Sequence, residues 1–271
     1  MKRKGVNDIE LLLSELDKQQ LCDFIRVECA NDRHFQQRFL SLGTGFLTSP
    51  KFSDYHARIM DMIEEFGDRH GFVEYSKTFR LNRAICQIID EADIAIQNYQ
   101  WDVAQTILDS IATSGEEILY CGDDSAGELG DILHYCFHKW HELSSDELLP
   151  EGKKSELFEL SLTHFAEGCL KGFDWWWDWI QMAIQLADEE EKQGRIIQEL
   201  DKVINIKGDE WGINYNRQVA QRHKLEIMSK RGTPEEQFKF MYENVSNPDF
   251  RRRLLQMAWD RGEYKEVLRL A

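Results

Sequence analysis

Apolar residues in this chain recur mostly three and four positions apart, and the runs they form are 10 to 20 residues long. That period places them on one face of a helix, and nothing alternates with the two-residue period of a half-buried strand. The spacing predicts helices over 8–16, 18–30, 32–41, 53–66, 76–97, 101–112, 126–142, 152–170, 174–188, 190–204, 212–230, 234–245, 248–260 and 263–271. Helices joined by turns this short pack as antiparallel neighbours. The fold class expected is therefore all-α: stacked antiparallel helix pairs forming an α-α superhelix, a solenoid of the tetratricopeptide-like kind.

Punctuation agrees with the periodicity. Asn7 with Glu10, Asp17 with Gln20, and Ser144 with Glu147 have capping-box spacing, in which side-chain oxygens meet the orphan amides of a first turn. Thr233-Pro234-Glu235-Glu236 and Asn247-Pro248 place proline at the first helical position, where its missing N–H costs nothing. The least regular stretches are 41–51, 120–127 and 149–154. The first of these separates a small N-terminal helical unit, 1–45, from a helical-repeat domain over 52–271. A degenerate repeat relates 96–108 to 259–271: a helix ends, a short turn follows, and an aromatic precedes an apolar residue by three. Trp101 with Ala104 matches Tyr264 with Val267, and both aromatics are expected in the core between paired helices.

The stretch GFDWWWDWIQMA, 172–183, carries four tryptophans. On a helical wheel Trp175, Trp179, Met182 and Leu186 form one stripe, continued sideways by Trp176, Ile180, Ala183 and Ala187, then by Trp177 and Ile184. Asp174, Asp178, Gln181 and Gln185 fill the remaining arc. An apolar arc this wide belongs to a helix flanked on both sides. Trp175, Trp176 and Trp179 are therefore read as core. A sugar platform or a cation cage needs exposed rings, and a docking edge falls to Trp177 at the margin of the arc.

Charge narrows the classes of partner. With 33 Lys and Arg against 49 Asp and Glu the net charge is −16, a surface that repels phosphate backbones, so direct nucleic-acid binding is not expected. Lys2-Arg3-Lys4 and Arg251-Arg252-Arg253 are too short to reverse that field. Six scattered cysteines without a CxxC pair suit reduced thiols in a cytosol, and no apolar run reads as a leader or a membrane span. The expected location is cytoplasmic.

The sharpest chemical constellation is DILHYCFHKWH, 131–141. Asp131, His134, His138 and His141 share one helix face, and His-x-x-x-His lets two imidazoles reach one metal ion. Ile132, Leu133, Cys136, Trp140 and Leu143 take the opposite side. The alternative is a solvated polar face with no groups to orient the imidazoles. Asp123, Asp124, Ser125 and Glu128 are out of register for a calcium loop, and Asp124 or Ser125 is better placed as a cap for the next helix. Phosphate-binding glycine loops, nucleophile elbows and HExxH are lacking, so no catalytic residue, enzyme activity or cofactor is expected.

Three segments carry a family resemblance: LLLSELDKQQLCDFIRVECANDRHFQQRFL (11–40), DDSAGELGDI (123–132) and NPDFRRRLLQMAWDRGEYKEVLRLA (247–271). They resemble the helical, tetratricopeptide-like region of bacterial SWIM zinc-finger family proteins. The C-x-C and C-x-H zinc site of that family is missing here, so the binding attributed to its finger does not carry over. The resemblance implies a helical-repeat interaction module. Together these readings give a non-enzymatic protein–protein interaction scaffold, binding a partner's helix or extended segment along a face lined by alternate helices. A metal-binding helical protein centred on Asp131, His134, His138 and His141 is the rival. The last helix, leaving Val267, Leu268 and Leu270 uncovered, offers a surface for self-association.

Overall fold

The computed structural model describes residues 15–31, 39 and 51–271. The expected helices 8–16 and 32–41, the Asn7–Glu10 cap, the first basic triplet and most of the 1–45 unit lie outside the described residues. Those described form thirteen α-helices and no strand. They are α1 (Lys18–Asn31), α2 (Phe52–Phe66), α3 (Tyr75–Gln97), α4 (Trp101–Thr113), α5 (Gly115–Tyr120), α6 (Glu128–Ser144), α7 (Glu151–Glu167), α8 (Trp176–Leu186), α9 (Glu190–Ile204), α10 (Trp211–Arg231), α11 (Pro234–Glu243), α12 (Pro248–Asp260) and α13 (Tyr264–Leu270). The protein is all-α. Only α5 was not anticipated, because its six residues are too few to display a period.

Most caps act as their spacing predicts. Asp17 accepts from the Gln20 amide at 2.8 Å while Gln20 returns a bond to the Asp17 amide at 3.0 Å. Thr233 and Glu236 form the same reciprocal box ahead of Pro234. Asn247 accepts from the Asp249 amide at 3.1 Å. Asp124 accepts from the Leu129 and Gly130 amides at 2.7 and 3.2 Å, so it caps α6. Ser144 is the exception: it lies in the last turn of α6 and bonds back to the His141 carbonyl at 3.2 Å. The next helix starts later, behind Pro150.

Side-chain bonds between helices set their directions. In the first of two compact units, Met1–Lys139, Arg58 of α2 grips Glu91 of α3, while Lys77 early in α3 reaches the Phe66 carbonyl at the end of α2, so these helices are antiparallel. Ser110 of α4 and Ser114, which caps its C-terminus, meet the Phe52 carbonyl and His56 in ascending order along α2, which makes α2 and α4 parallel. Tyr135 and Lys139 of α6 pair with Asp90 and Asp93 of α3, again in ascending order. Neighbours run antiparallel and alternate helices run parallel, the pattern expected of stacked helix pairs.

The second unit, Trp140–Ala271, follows the same rule. From α7 to α13 the main contacts are between helices consecutive in the chain. Asp201 and the Ile204 carbonyl of α9 meet Lys224 and Arg217 of α10, in descending order and hence antiparallel. Asp174 and the Ile184 carbonyl meet Tyr215 and Lys230, making the α8 segment and α10 parallel. The division between the two units falls inside α6, after Lys139; the boundary expected near residues 45–52 adjoins residues outside the described ones.

The degenerate repeat is a shared turn. Tyr99 and Gly262 occupy equivalent places and both take the left-handed conformation, with φ of 59° and 72°. In the first copy Gln100 N donates to Ala95 O at 2.8 Å; in the second Glu263 N donates to Ala258 O at 2.9 Å. Each satisfies carbonyls that the helix end leaves open. A second close approach explains Gly122, where a Cβ would lie 2.5 Å from the Val73 carbonyl oxygen.

Tryptophans fill the second unit. Trp179 is fully buried, edge-on to Trp140 at 5.9 Å and 64°. Trp176 is 3% exposed, lies flat on Phe165 at 4.6 Å and 8°, and donates its indole N–H to the Phe165 carbonyl at 2.9 Å. Burial of such a ring contributes roughly 2–3 kcal/mol. Trp175, at the entry to α8, is half-buried. A second cluster joins Leu225, Met241, Phe250, Leu254 and Leu270. Leu270 is therefore interior, Val267 is half-buried, and only Leu268 of the three uncovered residues expected is open, at 81%.

Candidate binding face

The polar arc of the tryptophan helix becomes the centre of a ladder. Burial of Trp176, Trp179, Ile180 and Ala183 turns Asp178, Gln181 and Gln185 toward solvent and toward the flanking parallel elements. Asp178 receives His141 Nε2 from the end of α6 at 3.2 Å. Two turns further along α8, Gln185 bonds Ser145, whose hydroxyl donates to the His141 carbonyl at 2.6 Å. Just before α8, Asp174 accepts the Tyr215 hydroxyl of α10 at 3.0 Å. Burial, with help from that carboxylate, pushes the Tyr215 phenol above its ordinary value.

Next along the row, α10 meets α12. Arg222 donates to Asp249 at 2.8 Å and holds its carboxyl below the usual carboxylate range. Beneath it lies a buried amide relay. Asn244 donates to the Phe240 carbonyl at 2.8 Å, Gln221 to Asn244 at 2.7 Å, and Asn247 to Gln221 at 3.0 Å. Each amide fixes the orientation of the next, and the Asp249 amide closes the series on Asn247. The end of α6 and helices α8, α10 and α12 thus line one row by direct polar contact. Helices α7 and α9, and separately α11 and α13, are tied in the same way on the other side of the chain's alternation, through Glu159 with Arg195 and Tyr242 with Arg269.

Measured against this face, the residues singled out in the sequence separate. Asp131, His134 and His138 are exposed on α6, and His141 is half-buried against Asp178. Among the described residues no group of three or more His, Cys, Asp or Glu side chains is placed to hold a metal ion. The expected inner side of α6 is as anticipated: Ile132, Leu133, Cys136, Trp140 and Leu143 are fully buried. Ser145 donates to the carbonyl of His141 and not to its ring, so the two do not form a nucleophile–base pair.

Two aromatic assignments need correction. Trp177 is 5% exposed, packed on Phe165 and stacked on His223 at 5.7 Å, so its ring has no free face to serve as a docking edge. Tyr264, expected in the core, is 62% exposed; its ring stands edge-on to Trp259, itself 60% exposed, and both stay at the surface. Trp101 is half-buried against the edge of Tyr99. Trp211, which the sequence analysis did not single out, is more exposed still, at 81%.

Tyr215, Ser145, Gln221 and Arg222 went unrecognised because each acts across a gap in the chain. The ladder's contacts span 37, 40, 41 and 27 residues, near the length of one helix pair in repeat proteins. Paired positions are complementary rather than identical, so self-comparison of the sequence does not expose them. No helix among the described residues is long and apolar enough to cross a membrane. Comparison of the chain with protein-family profiles, curated proteins and solved structures finds no match.

Proposed function

We propose that this protein is a helical-repeat scaffold that binds another protein along the row formed by the end of α6, α8, α10 and α12. The observation that supports this reading is the ladder itself: alternate parallel helices are tied by polar side chains, leaving a continuous strip of carboxylates, amides and a phenol on a rigid base. Strips of this kind suit recognition of an extended or helical segment, because the scaffold orders its own polar groups before the partner arrives. The tetratricopeptide-like character and the implied kinship with SWIM-associated helical regions belong to the same proposal.

The test is site-resolved. A photo-crosslinking amino acid is placed at Gln181, on the exposed arc of α8, and separately at Gln198, exposed on α9 outside that row. In cells of the source organism the Gln181 position should capture a discrete partner and Gln198 should not. Equal capture at both positions, or none at Gln181, would overturn the proposal.

A further inference from the structure

We infer that Trp211 and Tyr215 form a recognition platform for an arginine side chain in an extended, basic segment of the partner, a refinement that rests on the scaffold reading above. Trp211 begins α10 and is 81% exposed. Its ring is nonetheless held: it lies on Tyr215 with centroids 5.5 Å apart and planes 12° from parallel. Tyr215 is anchored in turn by its bond to Asp174 at 3.0 Å. The approach to the platform is fixed as well. Arg217 ties the Ile204, Ile206 and Gly208 carbonyls together, and Asn214 donates to the Asp209 carbonyl at 2.8 Å. One indole face is therefore covered by a tyrosine, and the rest of the ring is presented to solvent on a braced turn.

Charge selects the ligand. The chain as a whole carries a net charge of −16, and the one guanidinium at this turn, Arg217, is occupied by the Ile206 and Gly208 carbonyls. Asp209 and Glu210, immediately before Trp211, are exposed, and they offset the positive end of the α10 dipole. An aromatic face beside carboxylates attracts a cation through the ring quadrupole. A planar guanidinium gains more than an ammonium, because it stacks on the indole while its N–H fork meets a carboxylate.

The experiment uses the full chain and a fluorescein-labelled peptide of alternating arginine and serine, read by anisotropy at about 0.15 M salt, where loose surface attraction is largely screened. Matching lysine–serine and glutamate–serine peptides serve as comparators. The arginine peptide should bind best, and Trp211→Ala should weaken it by about threefold or more, the scale of one cation–aromatic contact. Trp211→Phe, which keeps a ring, should recover part of the loss, and Asp174→Asn, which weakens the anchor of Tyr215, should cost less than Trp211→Ala. Trp211 is too exposed for its removal to unfold the protein, and circular dichroism of each variant checks this. No binding by the wild type, equal binding of arginine and lysine peptides, or wild-type affinity in Trp211→Ala would each overturn the inference. Capture at Gln181 that survives Trp211→Ala would show the scaffold reading standing while this one fails.

Discussion

Asn247 gives the most direct measure of what ties α10 and α12 together. Its side chain is fully buried and makes three bonds: Nδ2 donates to the Gln218 carbonyl at 3.1 Å and to Gln221 at 3.0 Å, while Oδ1 accepts from the Asp249 amide at 3.1 Å. Asn247→Ala removes a helix cap, which costs about 1 kcal/mol. It also strips the donor from two acceptors, the Gln218 carbonyl and Gln221 Oε1, at about 1 kcal/mol or more each. Gln221 cannot recover by turning its amide over, since Asn244 and Phe240 fix that orientation. The expected loss is about 3 kcal/mol. Thr233→Ala supplies the reference: that cap is exposed and stands outside any buried network, so its loss should cost about 1 kcal/mol. Asn247→Ser, which keeps a capping oxygen but no amide donor, should fall between them. Urea denaturation followed by circular dichroism and tryptophan fluorescence gives each difference at constant m. If Asn247→Ala and Thr233→Ala destabilise within about 0.5 kcal/mol of each other, the relay adds nothing to the cap and the reasoning fails.

The repeated turn makes opposite expectations for its two copies: Gly262→Ala should destabilise by about 1 kcal/mol, and Tyr99→Gly should be neutral or stabilising, because a side chain at positive φ carries strain that glycine avoids. Thermal unfolding of the pair checks the sign, and destabilisation by Tyr99→Gly beyond about 1 kcal/mol would mean that its edge contact with Trp101 outweighs the strain. Burial pushes the Cys86 and Cys121 thiols up to about 11, so both should resist alkylation at neutral pH in the native protein and react on unfolding, as peptide mass spectrometry after a brief iodoacetamide pulse will show. Asp249 has a carboxyl held low by Arg222; its contribution is present above the unfolded value and is lost as pH falls through the folded one. Stability should therefore decline below about pH 4, and less steeply in Asp249→Asn; an unchanged slope would show that the pair contributes nothing.

What the sequence disclosed and what it withheld divide along the reach of the forces involved. Helix positions and caps depend on bonds within a few residues, so Asp17, Asp124, Thr233 and Asn247 announced themselves. The wide apolar arc of α8 was legible for the same reason, since periodicity records how many sides of a helix are covered. It does not record which neighbour does the covering. Trp177, at the margin of that arc, looked available until α10 placed His223 on it.

The two copies of the turn make the same distinction within one motif. Tyr99 and Gly262 reproduce a backbone geometry to the hydrogen bond, because that geometry is closed by the residues of the turn alone. The aromatics that follow do not share a fate. Trp101 is half-buried, whereas Tyr264 stands 62% exposed. Burial at these positions is settled by helices elsewhere in the chain, so the local pattern fixes where a ring begins a helix and leaves open what it meets. Trp211 follows from this. It is one more aromatic at the first position of a helix, where the local pattern does not decide burial. Its exposure becomes informative only when Tyr215 is found holding the ring flat and Asp174 is found holding Tyr215. A tryptophan left in water forgoes roughly 2–3 kcal/mol of burial, and that the ring is braced by Tyr215 while forgoing it is the observation on which the proposed platform rests.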